Sequence, residues 1–187
     1  MPRLTRSDCG EGTQRQLILP HVQAGVKLSN IRTILITHLH PDRTCVCVLI
    51  PDILGLTPLI FSMMGLSSAP GKDDRPRLEL VGPLGLRAFL RTTLSITYAT
   101  LNSCFVVHEL LWPSQPAYPH HPSGSFIYTE EDIYLPPDVR GQTRTLPCMP
   151  PHANELPGRD IRMDESTGTW PRILQLGNVW ISAAPIT

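Results

Sequence analysis

Two kinds of hydrophobic pattern alternate along the first 110 residues of the chain. Short aliphatic and β-branched runs, typical of buried strands, occupy residues 31–37, 78–81 and 104–110. Between and before them, helical spacing or sustained apolar character covers residues 14–19, 53–64 and 84–97. Because strands that alternate with helices pack as layers, this part of the chain is predicted to be an α/β domain.

The pattern changes after Trp112. More than half of the 20 prolines lie between residues 112 and 172, a density that excludes long helices and central strands. We expect an excursion with one hairpin over residues 126–134, before strand character returns at 173–176 and 179–183. The chain is therefore divided into the first part of one domain (1–110), a Pro-rich insertion (111–172) and a returning strand of the same domain (173–187).

Composition narrows the class of protein. Lys+Arg and Asp+Glu are both 16, so the formal net charge is zero and the whole chain carries no basic footprint, although a local patch is still allowed. The 5 cysteines are odd in number and irregularly spaced, which favours a reducing compartment over a disulfide framework. The longest apolar stretch, from Thr44 to Met64, is interrupted by Pro51, Asp52 and Pro58. No membrane-spanning helix is predicted.

Candidate metal ligands come directly after the predicted strand at residues 31–37. His38, His40 and Asp42 come at alternate positions, so in an extended segment their side chains point the same way. Two imidazoles and a carboxylate are typical zinc ligands. The other interpretation is that these histidines are ordinary loop residues at the end of a strand. Arg43, the next residue, cannot ligate a metal.

Several segments together resemble a known family. The sequence Asp8-Cys9-Gly10-Glu11-Gly12-Thr13-Gln14, followed by Ile34-Leu35-Ile36-Thr37-His38-Leu39-His40, is similar to ribonuclease Z. This is the metallo-β-lactamase-fold endonuclease that removes the 3′ trailer from precursor tRNA. Further similar segments, the last three of them resembling the fungal short form, lie at 53–60, 81–90, 107–110, 155–161, 170–174 and 182–186.

The resemblance implies a partial metallo-β-lactamase-like fold, roughly the N-terminal half of an αββα sandwich. It implies a zinc-dependent endoribonuclease of the nucleus or cytoplasm whose partner is precursor tRNA and whose family members are typically homodimers. His38 and His40 match the first two zinc ligands. Asp42 matches, by spacing, the aspartate that binds the second zinc and is credited with proton transfer. Asp8 matches the aspartate that orients the metal site from the neighbouring strand end.

A second alignment of the same motif is open. The family runs from its second histidine through Gly-Asp-His directly into the helix that here begins near Ile53, so residues 41–52 occupy the space of a much shorter segment. In this alignment Asp42 belongs to an inserted run, and Arg43 marks its beginning. The family's expected hairpin before Asp8 is not recognisable, and no strand is predicted there.

Three functions follow from these alternatives. The first is a tRNA 3′-processing endoribonuclease with impaired activity. The second is a non-catalytic relic, or the product of a truncated or mis-spliced gene. The third is a metallo-β-lactamase-fold hydrolase with another substrate. Outside the motif, His108 beside Glu109 is interpreted as a hydrogen-bonded structural histidine.

Overall fold

The computed structural model describes residues 4–9, 13–18, 27–39, 55–64, 76–113, 125–128, 144–147 and 149–185. For residues 125–128 and 144–147 the description covers the backbone only. All residues from His40 to Leu54 lie outside these ranges. They include the predicted ligands His40 and Asp42 and the inserted run of the second alignment.

The described strands build one main sheet of 6 parallel strands. Its members are β1 (Leu4–Ser7), β2 (Ile31–Leu35), β3 (Leu78–Pro83), β4 (Phe105–Leu111), β7 (Glu155–Leu156) and β8 (Asp160–Arg162). The order across the sheet is β1-β2-β3-β4, and the two short strands β7 and β8 both pair with β4. The three predicted strands at 31–37, 78–81 and 104–110 are therefore confirmed, with boundaries that shift by one or two residues.

The predicted helices are also present. They are α1 (Thr13–Ile18), α2 (Leu56–Met64) and α3 (Leu86–Ile96), with a short 3-10 turn at Leu28–Asn30. Pro58 falls in the first turn of α2, where its missing N–H would have no partner within the helix, so it does not interrupt the element. None of the helices in the described residues is long and apolar enough to cross a bilayer.

Two antiparallel pairs complete the described elements. Strands β9 (Trp170–Leu176) and β10 (Val179–Ala183) form a ribbon, which confirms the predicted return to strand character. Strands β5 (Ser125–Tyr128) and β6 (Arg144–Pro147) also form an antiparallel pair, so the hairpin expected over residues 126–134 is right only for its first strand. Its second strand comes later than the predicted range of 126–134, because Tyr128 pairs with Arg144.

The main sheet separates two apolar clusters, as expected for a layered fold. Helices α2 and α3 contribute Leu59 and Leu90 to the larger cluster, where they meet Leu80 of β3. On the other face, Val81 of the same strand packs with Trp170 of β9 in a smaller cluster. Since successive strand residues point to opposite faces, the adjacent positions Leu80 and Val81 serve the two layers. The described elements thus stack as helices, sheet and ribbon.

The expectation that no strand precedes Asp8 is wrong. Residues Leu4–Ser7 form β1, which pairs in parallel with β2 at the edge of the sheet. The strand was not recognisable because Leu4 is its single apolar residue, which leaves no alternating pattern to detect. Backbone hydrogen bonds to β2 hold it in place, and Leu4 packs partly buried against the larger apolar cluster.

The segment Glu155–Arg162, in the range interpreted as an insertion, is fastened to the sheet by buried charges. Arg87 of α3 lies 2.9 Å from Asp160, and Arg91 lies 2.7 Å from Glu155. Arg91 also donates from Nε to the other carboxylate oxygen of Glu155 at 2.8 Å, so this pair is bidentate. Two arginines one helical turn apart thereby attach both ends of the segment to α3.

Candidate metal centre

The predicted site residues Asp8 and His38 lie at one edge of the main sheet. Asp8 follows the end of β1 and His38 follows the end of β2, and these two strands are parallel neighbours. The backbone N–H of Asp8 donates to the carbonyl of Leu35 at 2.7 Å, which fixes the two strand ends against each other. The carboxyl ends of adjacent parallel strands are a common location for ligand sites.

The carboxylate of Asp8 is held by the residue that precedes His38. Its Oδ1 accepts from the backbone N–H of Thr37 at 2.8 Å and from the Thr37 hydroxyl at 3.0 Å, while Ser7 Oγ lies 3.3 Å from Oδ2. Asp8 has a φ of 55°, in the left-handed region that aspartate tolerates better than most residues. This backbone conformation turns its carboxylate toward β2.

Thr37 connects Asp8 to the imidazole of His38. The Thr37 hydroxyl lies 2.9 Å from His38 Nδ1. A hydroxyl has one hydrogen, and the carboxylate can only accept it, so Thr37 Oγ1 accepts in turn from Nδ1–H. In this tautomer the lone pair of the His38 ring is on Nε2, which is the nitrogen that would bind a metal.

These residues fit a zinc site in the chemistry of their donors. A neutral imidazole with its other nitrogen donating to a fixed acceptor is the usual form of a zinc-bound histidine. Among the described residues no three His, Cys, Asp or Glu side chains are grouped closely enough to hold a metal ion. His40 and Asp42, the other predicted ligands, stay predictions because they lie outside the described residues.

Sequence reasoning identified Asp8 and His38 but missed Thr37. The signal was a hydroxyl residue between the apolar strand and the first histidine, a position from which it can bond to both neighbours.

Cys9, the residue after Asp8, is completely buried, and its backbone carbonyl accepts from the N–H of Gly55 at 2.8 Å. Burial raises the pKa of the Cys9 thiol to about 11, so Cys9 is protonated at neutral pH in the metal-free protein.

Substituting Thr37 with valine is expected to weaken zinc binding about 10- to 100-fold, because the link between Asp8 and His38 is lost. The volume of the side chain changes little, and the backbone N–H of Thr37 still donates to Asp8. The measurement is a competition titration of the purified chain against a chromophoric zinc chelator. Thr37→Ser keeps the hydroxyl and should bind zinc like the unsubstituted chain. Ser7→Ala tests the longer contact between Ser7 Oγ and Asp8 Oδ2. Equal affinities of Thr37→Val and Thr37→Ser would contradict the assignment.

A second histidine, His108, lies in β4 and has a structural role, as its interpretation from sequence predicted. Its Nδ1 accepts from the backbone N–H of Arg159 at 3.0 Å, and its side chain is 9% exposed. Burial, followed by the positive charges of Arg159 and Arg87, lowers the pKa of His108 from 6.5 to about 4. His108 is therefore neutral in the folded protein at neutral pH, and it fixes the backbone of Arg159 beside β4.

His108 should make the stability of the protein pH-dependent. Between pH 6.5 and about 4 the unfolded chain binds a proton at His108 that the folded chain does not. The free energy of unfolding should therefore fall by about 2–3 kcal/mol as pH decreases through this window, and the contribution should be constant above it. Urea unfolding at several pH values measures this slope. In His108→Gln this part of the slope should disappear, and an unchanged slope would show that other groups cause it.

Comparisons with known proteins place the chain in a family. Residues 8–135 match the model of the metallo-beta-lactamase superfamily. Over 139 residues the chain is 34% identical to zinc phosphodiesterase ELAC protein 1 of Mus musculus and 33% identical to that of Homo sapiens. Each alignment covers 74% of this chain, and 33% and 34% of the relative, respectively. Ribonuclease Z of Prochlorococcus marinus (strain MIT 9312) is 37% identical over 95 residues, which is 51% of this chain and 24% of that protein.

A solved structure agrees with the fold. The crystal structure of human tRNase Z, short form (ELAC1), superposes with a TM-score of 0.55 at 24% identity, covering 95% of this chain and 46% of that chain. The chain spans about a third of the length of the two zinc phosphodiesterases it matches. The superfamily model covers more than half of the 187 residues. The chain belongs to the metallo-β-lactamase superfamily.

Proposed function

We propose that this chain carries zinc-binding machinery of an endoribonuclease that acts at the 3′ end of precursor tRNA. The observation that carries the proposal is the contact from Asp8 through Thr37 to His38, which presents one imidazole nitrogen at the edge of the main sheet. The similarity to proteins named ribonuclease Z and zinc phosphodiesterase supports zinc as the metal and tRNA as the substrate.

The proposed roles follow the sequence motif. His38 and His40 hold zinc, Asp42 is the further ligand and proton carrier in the first alignment, and Asp8 orients His38 through Thr37. When bound, zinc would polarise the scissile phosphodiester and lower the pKa of a water molecule. The contribution of the protein is to keep His38 in one tautomer and one orientation before the metal arrives.

The presence of arginine at position 43 indicates that the catalytic activity is reduced. The resemblance places a histidine ligand at this position, whereas arginine adds a permanent positive charge and no lone pair. We therefore expect weak zinc binding and slow cleavage by the chain as it stands. This feature also favours the second candidate function, a chain of the same family that retains the fold and the first ligands without efficient catalysis.

The experiment is cleavage of a precursor tRNA with a 3′ trailer by the full chain in zinc-containing buffer. We expect slow cleavage at the trailer that stops in Thr37→Val, in His38→Ala and after addition of a chelator.

The variant Arg43→His should increase both zinc affinity and cleavage at least tenfold if residues 42 and 43 occupy the positions of the family motif. No change in Arg43→His would favour the second alignment. Cleavage of a simple phosphodiester without cleavage of tRNA would favour another hydrolase of the same fold.

We also propose that the chain works inside the cell, in the nucleus or cytoplasm, and forms a homodimer. Irregular cysteine spacing supports the reducing compartment, and the homodimer follows from the family resemblance alone. Sedimentation of the purified chain at several concentrations measures the assembly. A single monomeric species at all concentrations would contradict the homodimer.

A further inference from the structure

Strand β9 carries a bulge where it pairs with β10. Between the pairs Leu174–Ile181 and Trp170–Ala183, β9 runs through three residues while β10 runs through one. The middle residue of these three, Arg172, has a φ of 50°, in the left-handed region that arginine adopts only under constraint. A bulge changes the direction in which a side chain points, and strained residues of this kind are concentrated at functional sites.

Hydrogen bonds from two other segments fix the backbone at the bulge. The backbone N–H of Arg172 donates to Ser182 Oγ of β10 at 3.3 Å. From the opposite direction along the chain, Arg159 donates from Nη2 to the carbonyl of Ile173 at 2.9 Å and from Nη1 to that of Arg172 at 3.4 Å. The backbone that carries the Arg172 side chain is therefore held in its strained conformation before any ligand arrives.

The Arg172 side chain lies over the indole ring of Trp180. Its Cζ is 5.9 Å from the ring centroid, a cation–π arrangement between two exposed residues of the ribbon. In the part of the chain that the structure describes, the guanidinium of Arg172 donates no hydrogen bond and has no ion-pair partner. Since the ring already restricts the guanidinium, little conformational entropy is lost when a ligand binds to it.

The rest of the ribbon does not neutralise this charge. From residue 170 to residue 185, Arg172 is the single charged residue of the chain. In the turn before β9, the carboxylate of Asp164 accepts from the N–H and the hydroxyl of Ser166. The ribbon thus presents a cation whose planar N–H donors match the oxygen atoms of a phosphate group.

We propose that Arg172, oriented by Trp180, binds a backbone phosphate of the RNA substrate. The guanidinium supplies the charge and the hydrogen-bond donors, and the indole is a positioning residue that acts through Arg172. A contact of this kind positions the RNA without reading its bases, so it suits substrates of different sequence. This inference rests on the proposed function, and it gives the β9–β10 ribbon a part in binding the substrate.

The test is the affinity of the full chain for a fluorescent precursor tRNA, measured by fluorescence anisotropy at several salt concentrations with a chelator that prevents cleavage. Arg172→Gln should weaken binding about tenfold at low salt and reduce the dependence of affinity on salt by about one phosphate contact. The matched control is Arg32→Gln. Arg32 is an exposed arginine of β2 whose Nη1 donates to the carbonyl of Arg77 at 3.4 Å, and its removal should leave affinity close to that of the unsubstituted chain.

Two further variants separate binding from stability. Glycine adopts a φ of 50° without strain, so Arg172→Gly should raise the urea midpoint of unfolding while weakening RNA binding as much as Arg172→Gln. Trp180→Leu should weaken binding less than Arg172→Gln. Because Trp180 acts through Arg172, the double variant of Arg172→Gln and Trp180→Leu should bind RNA no more weakly than Arg172→Gln alone.

Several results would overturn the inference. The salt dependence could be the same in Arg172→Gln as in the unsubstituted chain, or Arg32→Gln could weaken binding to the same extent. A lower urea midpoint of Arg172→Gly with unchanged RNA affinity would identify Arg172 as a structural residue only. Altered sedimentation of Trp180→Leu with unchanged RNA affinity would assign the ribbon to a contact between copies of the chain. In these cases the unsubstituted chain still binds precursor tRNA, and the proposed function stands. Failure of the unsubstituted chain to bind RNA would reject the proposed function and this inference together.

Discussion

Substituting Gly158 with alanine is expected to lower the free energy of unfolding by more than about 3 kcal/mol. A Cβ atom at this position would lie 1.7 Å from the carbonyl oxygen of Val107 and 2.7 Å from its carbonyl carbon. Both atoms belong to the backbone of β4, so the clash cannot be relieved by rotating a side chain. The segment Glu155–Arg162 would have to move away from the sheet, and the ion pairs of Arg87 and Arg91 would stretch. Urea unfolding of the purified variant measures the loss.

The control is Gly168→Ala, in the turn before β9. Gly168 has a φ of +63°, and nothing lies within 4 Å of a Cβ built there. The cost at this position is backbone strain alone, about 1 kcal/mol. If Gly158→Ala costs no more than Gly168→Ala, the close contact with Val107 is not a determinant of stability.

The second large effect is expected for Glu109→Ala, which should destabilise the protein by about 3–5 kcal/mol. Glu109 is completely buried, and its Oε1 accepts from the backbone N–H groups of Gly85 and Arg87 at 3.0 and 2.9 Å. Its Oε2 lies 3.4 Å from Nη1 of Arg87, a side chain that is 2% exposed. Burial raises the pKa of Glu109, whereas the charge of Arg87 and the two N–H donors oppose this shift. Removing the carboxylate leaves a buried guanidinium with less compensation.

Two variants separate the contributions of Glu109. Glu109→Gln keeps an oxygen that accepts the two N–H groups and should cost less than Glu109→Ala. Combining Glu109→Leu with Arg87→Leu removes both charges and should cost less than the sum of the single substitutions. Thermal or urea unfolding of the set gives these differences. A loss below about 1 kcal/mol for Glu109→Ala would mean that water replaces the carboxylate at this site.

The hydrophobic pattern of the sequence predicted the strands and helices that bury side chains at regular spacing. It missed the strands that are held by backbone hydrogen bonds or by distant charges. β3 and α3 bury residues at regular spacing, so their apolar pattern was sufficient. β1 has a single apolar residue and is formed through hydrogen bonds to β2, which no local pattern records. The two short strands that pair with β4 are likewise held by charges on α3 that are distant in sequence.

The candidate site was predictable to the same extent. The family motif identified Asp8 and His38, because both positions carry the chemistry in their residue type. Thr37 acts through a hydrogen bond between two residues that are 29 positions apart, so its role required the structure. Glu109 illustrates the same limit. The residue before α3 is Gly85, which has no side chain to cap the helix, and the acceptor is Glu109 of β4.

The parallel pairing of β4 with β7 and β8 has a consequence for the evolution of the chain. After Leu111 the polypeptide leaves β4, and at Glu155 it returns to that same strand. Closing such a connection depends only logarithmically on its length, so doubling it costs about 0.6 kcal/mol. Insertions and deletions between these two points, which lie at the end of the strand order farthest from β1, should therefore accumulate with little penalty. Lineages of this family are free to vary in length here while Asp8, Thr37 and His38 keep their arrangement.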